Sequence, residues 1–259
     1  MSTLQALLFD VDGTLADTER DGHRVAFNQA FAQAGLDWEW SVALYGELLA
    51  VTGGKERILH YLDTCNTAFQ RPNHLQEFIA DLHKSKTRHY TELLNTGAIP
   101  LRPGVARLLH EARDAKLRLA IATTTTPANV SALLKNTLGP DGESYFEVIA
   151  AGDIVPAKKP APDIYTYTLE KMDLSPEACL AFEDSENGIR SSMGADLTTL
   201  ITINGYTREH DFTGAAAVLD TLGEPDQPFQ VLAGDVGGAT YVDLNCLTYL
   251  HRNALKHVA

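Results

Sequence analysis

In the stretch LLFDVDGTLADTE (residues 7–19) an apolar run suited to burial stops at two acids, Asp10 and Asp12, followed by Gly13 and Thr14. Residues i and i+2 of a strand point to the same side, so these carboxylates share one small space, and Gly13 lets the chain turn away. Two such acids do not both stay ionised without a cation, and one tends to keep a proton. The pair thereby divides into a metal-bound nucleophile and a general acid/base. A lone Asp at a strand end only caps a turn; the full string DVDGT behind four apolar residues asks for more.

Three other runs end in polar residues of matching purpose. In LAIATTTTPANV (119–130), Thr126 and Pro127 read as a helix N-cap and first helical residue. Thr123 stands at the strand tip, where its hydroxyl and the adjacent N–H of Thr124 can hold a phosphoryl oxygen. In AKKPAPDIY (157–165), Lys159 precedes Pro160 and is kept extended, so its ammonium can be aimed; the alternative is a solvated surface lysine, the role expected of Lys158. In LAFEDSENGI (180–189), Glu183 and Asp184 close another buried run and Ser185 caps the following helix. Hard carboxylate oxygens suit Mg2+, and the same acids also compensate a helix dipole. Two acids, a hydroxyl, a lysine and a second acid pair on successive strand ends make a phosphoryl-transfer site.

The elements that must position these groups are legible from periodicity. Continuous apolar runs at 4–11, 117–124, 148–152, 179–184 and 197–203 predict buried parallel strands, and stretches of helical period such as 105–116 and 128–138 separate them. The expected fold is α/β, a Rossmann-like doubly wound parallel sheet with ligands outside its carboxyl edge. From residue 17 to 96 the rhythm breaks. Apolar residues recur there at helical spacing, predicting about four helices inserted between the first strand and the rest, with NTGAIPLRPG (95–104) as the return linker. The expected organisation is a core of 1–16 and 97–259 and an inserted α-helical domain of 17–96. After Gly223 the tail suggests one further strand and a helix.

Of 259 residues, 44% are hydrophobic and 21% charged, ordinary for one large domain or one domain with an insertion. A net charge of −13 speaks against nucleic-acid or acidic-membrane partners, so an anionic ligand must meet a local basic pocket. Cys65, Cys179 and Cys246 are widely spaced without metal-ligand spacing, which reads as a reducing compartment. With no charged leader or membrane-length apolar segment, a cytoplasmic location is expected.

DVDGT, IATT, KKP and FEDS together resemble, in order, the four motifs of the haloacid dehalogenase superfamily phosphohydrolases, and the resemblance covers essentially the whole chain. The helical insert is similar to that superfamily's helical type of cap. Within it, DTERDGHRVAFNQAF (17–31), LYGELLAVTGGKERI (44–58), LHKSKTRHY (82–90) and LRPGV (101–105) resemble the CbbY-type phosphatases of autotrophs, especially the plant and cyanobacterial-like branch. Those enzymes remove the C1 phosphate of xylulose 1,5-bisphosphate, an inhibitor of Rubisco, and leave xylulose 5-phosphate.

The resemblance implies Asp10 as nucleophile, Asp12 as acid/base, and Lys159 and Thr123 as phosphoryl-holding groups. Mg2+ is expected on Asp10, the Asp12 backbone carbonyl, Asp184 and Glu183, the last directly or through water. It further implies Glu19 and His23 along the sugar, backbone approach at Gly53 and Gly54, and a clamp of Lys55, Arg57 and Lys86 on a distal phosphate. His23 as an interfacial histidine, and Lys55 and Arg57 as the exposed first turn of a helix, are the alternatives. The partner implied is a small phosphorylated sugar, with the protein a monomer. A β-phosphoglucomutase-like transferase and a phosphatase for another small phosphoester such as phosphoglycolate share the same core motifs. A non-catalytic binding module would have lost an acid or the lysine.

Overall fold

The buried runs assemble into one seven-stranded sheet in the computed structural model, which describes residues 3–257. Its strands are β1 (Ala6–Phe9), β2 (Arg118–Thr123), β3 (Val148–Ala151), β4 (Cys179–Glu183), β5 (Thr198–Thr202), β6 (Ala217–Leu219) and β7 (Val231–Gly234). They lie in the order β3-β2-β1-β4-β5-β6-β7, parallel except for β7. β1 is central, with Phe9 in register with Ile121 on one side and Phe182 on the other. The chain runs outward from β1 to β3 and then crosses to β4, so strand order reverses between β1 and β4. A cleft opens there beyond the carboxyl ends. Asp10 follows β1, Glu183 ends β4 and Asp184 follows it.

Alternation divides each strand between two layers. Leu7, Phe9, Leu119, Ile121, Leu180 and Phe182 pack with residues of α5 (Val105–Asp114) and α6 (Pro127–Leu138). The opposite face is mostly small residues, Ala6, Ala120, Ala122 and Ala181 around Leu8, against α7 (Asp163–Met172). Little separates α7 from the sheet, and Tyr165 reaches Glu183 from it. Ser185 caps α8 (Glu186–Gly194) by accepting from the Gly188 N–H at 3.1 Å. Thr126 does the same for α6, receiving the Asn129 N–H at 3.4 Å. Both caps match expectation.

Between β1 and α5 the insert is wholly helical. A π-helical turn (Glu19–His23) runs into α1 (Arg24–Gln33), and α2 (Val42–Leu48), α3 (Gly54–Thr64) and α4 (Leu75–Asn95) follow. Phe27, Phe31, Trp38, Trp40, Tyr45, Ile58, Leu62 and Ile79 give it an apolar cluster of its own, with Phe31 and Trp40 edge to face at 4.9 Å. The two connections to the core run side by side: Ala16 bridges Leu101, and the Arg102 N–H donates to the Leu15 carbonyl at 2.8 Å.

The tail holds β7 and α9 (Leu244–His257), as expected, while β6 lies ahead of Gly223 and was not expected. Arg107 of α5 ties the tail down through Glu224 at 2.9 Å and the carbonyls of Gly223 and Val242. Residues 1–2 and 258–259 of the expected core lie outside the described residues. No helix among the described residues is long and apolar enough to cross a membrane.

Candidate active site

At the carboxyl edge Lys159 is buried between two acids, its Nζ 2.7 Å from Asp10 Oδ1 and 2.6 Å from Glu183 Oε1. Burial alone would lower its pKa, but Asp10 and Glu183 outweigh it and hold the ammonium well above its ordinary value. Glu183 Oε1 also accepts from the Tyr165 hydroxyl at 2.6 Å, so the carboxylate that aims the lysine is itself fixed.

Asp10, Glu183 and Asp184, all buried, each offer an oxygen within 4.8 Å of the others. Burial, then Asp10 and Glu183, push Asp184 far up; burial likewise raises Asp10, only partly offset by Lys159. Three hard oxygen donors around one ammonium are short of positive charge, and that donor set fits Mg2+. Asn204, just past β5, donates Nδ2–H to Asp184 Oδ2 at 2.6 Å.

Asp12 meets the opposite surroundings. Its Oδ1 takes the Thr18 hydroxyl at 2.5 Å and His23 Nε2 at 2.8 Å. Lys86 Nζ lies 2.8 Å from His23 Nδ1. A charged lysine only donates, so Nδ1 accepts and the Nε2–H faces Asp12. Burial opposes ionisation of Asp12, yet His23 and Thr18 hold it well below the usual carboxylate range. The pair divides as expected, one acid pushed toward keeping a proton and the other toward losing it, because Asp10 is buried among carboxylates while the Asp12 side chain turns to Thr18 and His23 of the insert.

Asp10, Asp12, Glu19, Arg57, Thr124, Lys159, Glu183 and Asp184 line a cavity of about 340 Å³ between sheet edge and insert. Arg57 is 7% exposed, so it is not the exposed helical turn of the alternative reading. Its Nη1 donates to the Tyr45 hydroxyl at 3.0 Å and lies 4.0 Å from Glu19 Oε2, and the Tyr45 hydroxyl donates to Glu19. The fold brings this arginine over the sheet edge from α3.

Thr123, His23, Gly53, Gly54, Lys55 and Lys86 do not line that cavity. Thr123 is buried with its hydroxyl accepting from the Thr125 N–H at 3.3 Å, leaving Thr124 to face the opening. Lys86 is spent on His23. Lys55 bonds Asp153 at 2.7 Å across the gap to the core. Lys158, expected in solvent, pairs with Glu56 at 2.9 Å and Asp153 at 3.0 Å. Gly53 adopts φ +99°, and a Cβ on Gly54 would lie 2.5 Å from His83 Nε2, so this pair serves the packing of α3.

The sequence reading took Thr18 as part of the hinge into the insert, not as a donor to Asp12, and passed over Tyr45, Tyr165 and Asn204. Tyr165 stood inside the AKKPAPDIY string, and Asn204 stood one residue beyond a predicted strand; Tyr45 carried no local signal. Arg102, within LRPG, was also missed: its buried guanidinium donates to the carbonyls of Gly13, Thr202, Ile203 and Asp220.

Residues 4–195 match the sequence profile described as haloacid dehalogenase-like hydrolase. The CbbY protein (plasmid) of Cupriavidus necator is 47% identical over 254 residues, covering 97% of this chain and 98% of that protein. Among solved structures, CbbY from Rhodobacter sphaeroides in complex with phosphate superposes with a TM-score of 0.78 at 48% identity, covering 85% of this chain and 95% of that one. A mutant of that protein in complex with xylulose-(1,5)bisphosphate does so at 0.78 and 47%, with the same coverage. With acids, lysine and sheet edge arranged as above, the chain belongs to the haloacid dehalogenase-like hydrolases and is an enzyme of that family.

Proposed function

We propose that this enzyme is a Mg2+-dependent phosphatase of sugar bisphosphates, converting xylulose 1,5-bisphosphate to xylulose 5-phosphate, with residues 17–96 as a cap over a core of 1–16 and 97–259. The observation that carries this reading is the pairing of two cationic poles in one cavity. Lys159 beside Asp10 forms one pole, and Arg57 on α3 the other. A doubly phosphorylated sugar needs both, and Arg is suited to the distal phosphate by its planar fork of donors. The relative solved with xylulose bisphosphate supports the same choice.

On this reading a carboxylate oxygen of Asp10 attacks the C1 phosphorus in line. The bond from phosphorus to the sugar oxygen breaks, and that oxygen takes a proton through Asp12, which draws it from the Nε2–H of His23 while the Lys86 ammonium protonates Nδ1. A water then attacks the aspartyl-phosphate, Asp12 removes its proton, and inorganic phosphate leaves Asp10. Lys159 steadies the phosphoryl oxygens, and the Thr124 side of the cavity flanks them. Asp10, Glu183 and Asp184, with the Asp12 carbonyl, would hold Mg2+, whose positive charge would offset charge developing on the phosphoryl group. Glu19 and the cap inspect the sugar and exclude water. The enzyme thereby clears an inhibitor of Rubisco.

The test is phosphate release across a panel containing xylulose and ribulose bisphosphates, phosphoglycolate and β-glucose 1-phosphate, with glucose 6-phosphate formation followed in parallel. Preferred hydrolysis of xylulose 1,5-bisphosphate is expected. Glucose 6-phosphate without phosphate release assigns a mutase instead. Asp10→Asn is expected to be folded by circular dichroism and inactive; an active Asp10→Asn protein overturns the mechanism.

A further inference from the structure

Asn204 has no part in the chemistry above, yet both ends of its side chain are committed. Its Oδ1 accepts the Tyr206 N–H at 2.8 Å, an Asx turn, which leaves Nδ2 to donate to Asp184 Oδ2 at 2.6 Å. The amide orientation therefore follows from its partners. The backbone beneath it is held as well: the Asn204 N–H donates to Thr207 Oγ1 at 3.0 Å, the Ile203 N–H to the Leu219 carbonyl at 2.9 Å, and the Ile203 carbonyl takes Arg102.

A third residue makes room for the contact. A Cβ built on Gly13 would overlap Asp184 Oδ2 and lie 2.6 Å from Asn204 Nδ2. Only glycine lets the loop after β1 close over this amide–carboxylate pair, and its φ of +85° suits the turn. With Oδ2 engaged, the Asp184 carboxylate is held against rotation about its last torsion beside Asp10 and Glu183.

We infer that Asn204 is a positioning residue that fixes the Asp184 carboxylate for the divalent cation and so sets the Mg2+ affinity of the enzyme. The inference rests on the reading of Asp10, Glu183 and Asp184 as the cation site. Outer partners of ligating carboxylates commonly control metal affinity by 10- to 100-fold.

The test titrates the full-length enzyme with MgCl2 and reads the rise in melting temperature, which needs no substrate. Asn204→Ala and Asn204→Ser are compared with the unaltered chain. Serine keeps a turn to the Tyr206 N–H but stops one atom short of Asp184, so both variants are expected to need about 10-fold more Mg2+ for half the shift. Asn204→Ser is expected to keep its urea midpoint without Mg2+. Half-saturation close to the unaltered chain in either variant overturns the inference, serine's recovery alone meaning that only the turn matters. If the unaltered chain shows no Mg2+-dependent shift, the cation-site reading itself falls and the inference with it.

Discussion

Asp10 and Asp12 stand two residues apart and meet opposite fields: one is buried among carboxylates with Lys159, the other is held by Thr18 and by His23 with Lys86 behind it. His83 sits beside this group of cations. Burial first, then Lys86, Lys55 and His23, lower its pKa from 6.5 to about 3. A histidine that is less basic folded than unfolded takes up a proton on unfolding, so its contribution to stability is complete above pH 6.5 and is lost as the pH falls toward 3. His83→Gln is expected to lose less stability on acidification from pH 6.5, by a slope of up to about 1.4 kcal/mol per pH unit. Urea unfolding of both proteins across that range checks it; parallel curves overturn it. Acids at strand ends were legible because residue type and strand position are both local. The occupations of Lys55, Lys86 and Lys158 were not, because a cation's partner lies across the fold and leaves no mark in its own neighbourhood of the sequence.

At the scale of elements, α3 does more than present Arg57. Lys55 and Glu56 in its first turn meet Asp153 and Lys158 of the loop after β3, with Asp153 shared by both lysines. Those bonds hold Asp153 down at about 2, so it stays ionised at neutral pH. These pairs are half exposed, each worth a fraction of a kcal/mol and open to screening. Asp153→Asn is expected to raise KM for the sugar phosphate by about two- to fivefold with little change in kcat. KM of the unaltered enzyme should rise more steeply with added NaCl than that of the variant, and equal slopes would remove this ionic seam from the account. The strands shortened from the expected 4–11 and 117–124 to Ala6–Phe9 and Arg118–Thr123, because the chain leaves the ladder where it must present polar groups. β6 escaped notice because three residues carry too little periodicity.

For the molecule as a whole, the order of elements was legible and the way its parts are joined was not. Strand–helix alternation and the helical spacing of 17–96 were enough to foresee a doubly wound sheet with an insertion. Nothing in LRPG announced that Arg102 gathers carbonyls from the loop after β1, from β5 and from the end of β6, with Asp17 at 3.4 Å. Arg102→Met strands those acceptors in a buried place and is expected to cost about 3 kcal/mol of stability. A urea midpoint unchanged in Arg102→Met would deny it that structural weight. Arg102 sits on one connection to the insert and grips the other, at Gly13 and Asp17, while anchoring both to the sheet. Both crossings between sheet and insert therefore depend on one buried guanidinium, and a change at that single side chain is felt at the two of them together.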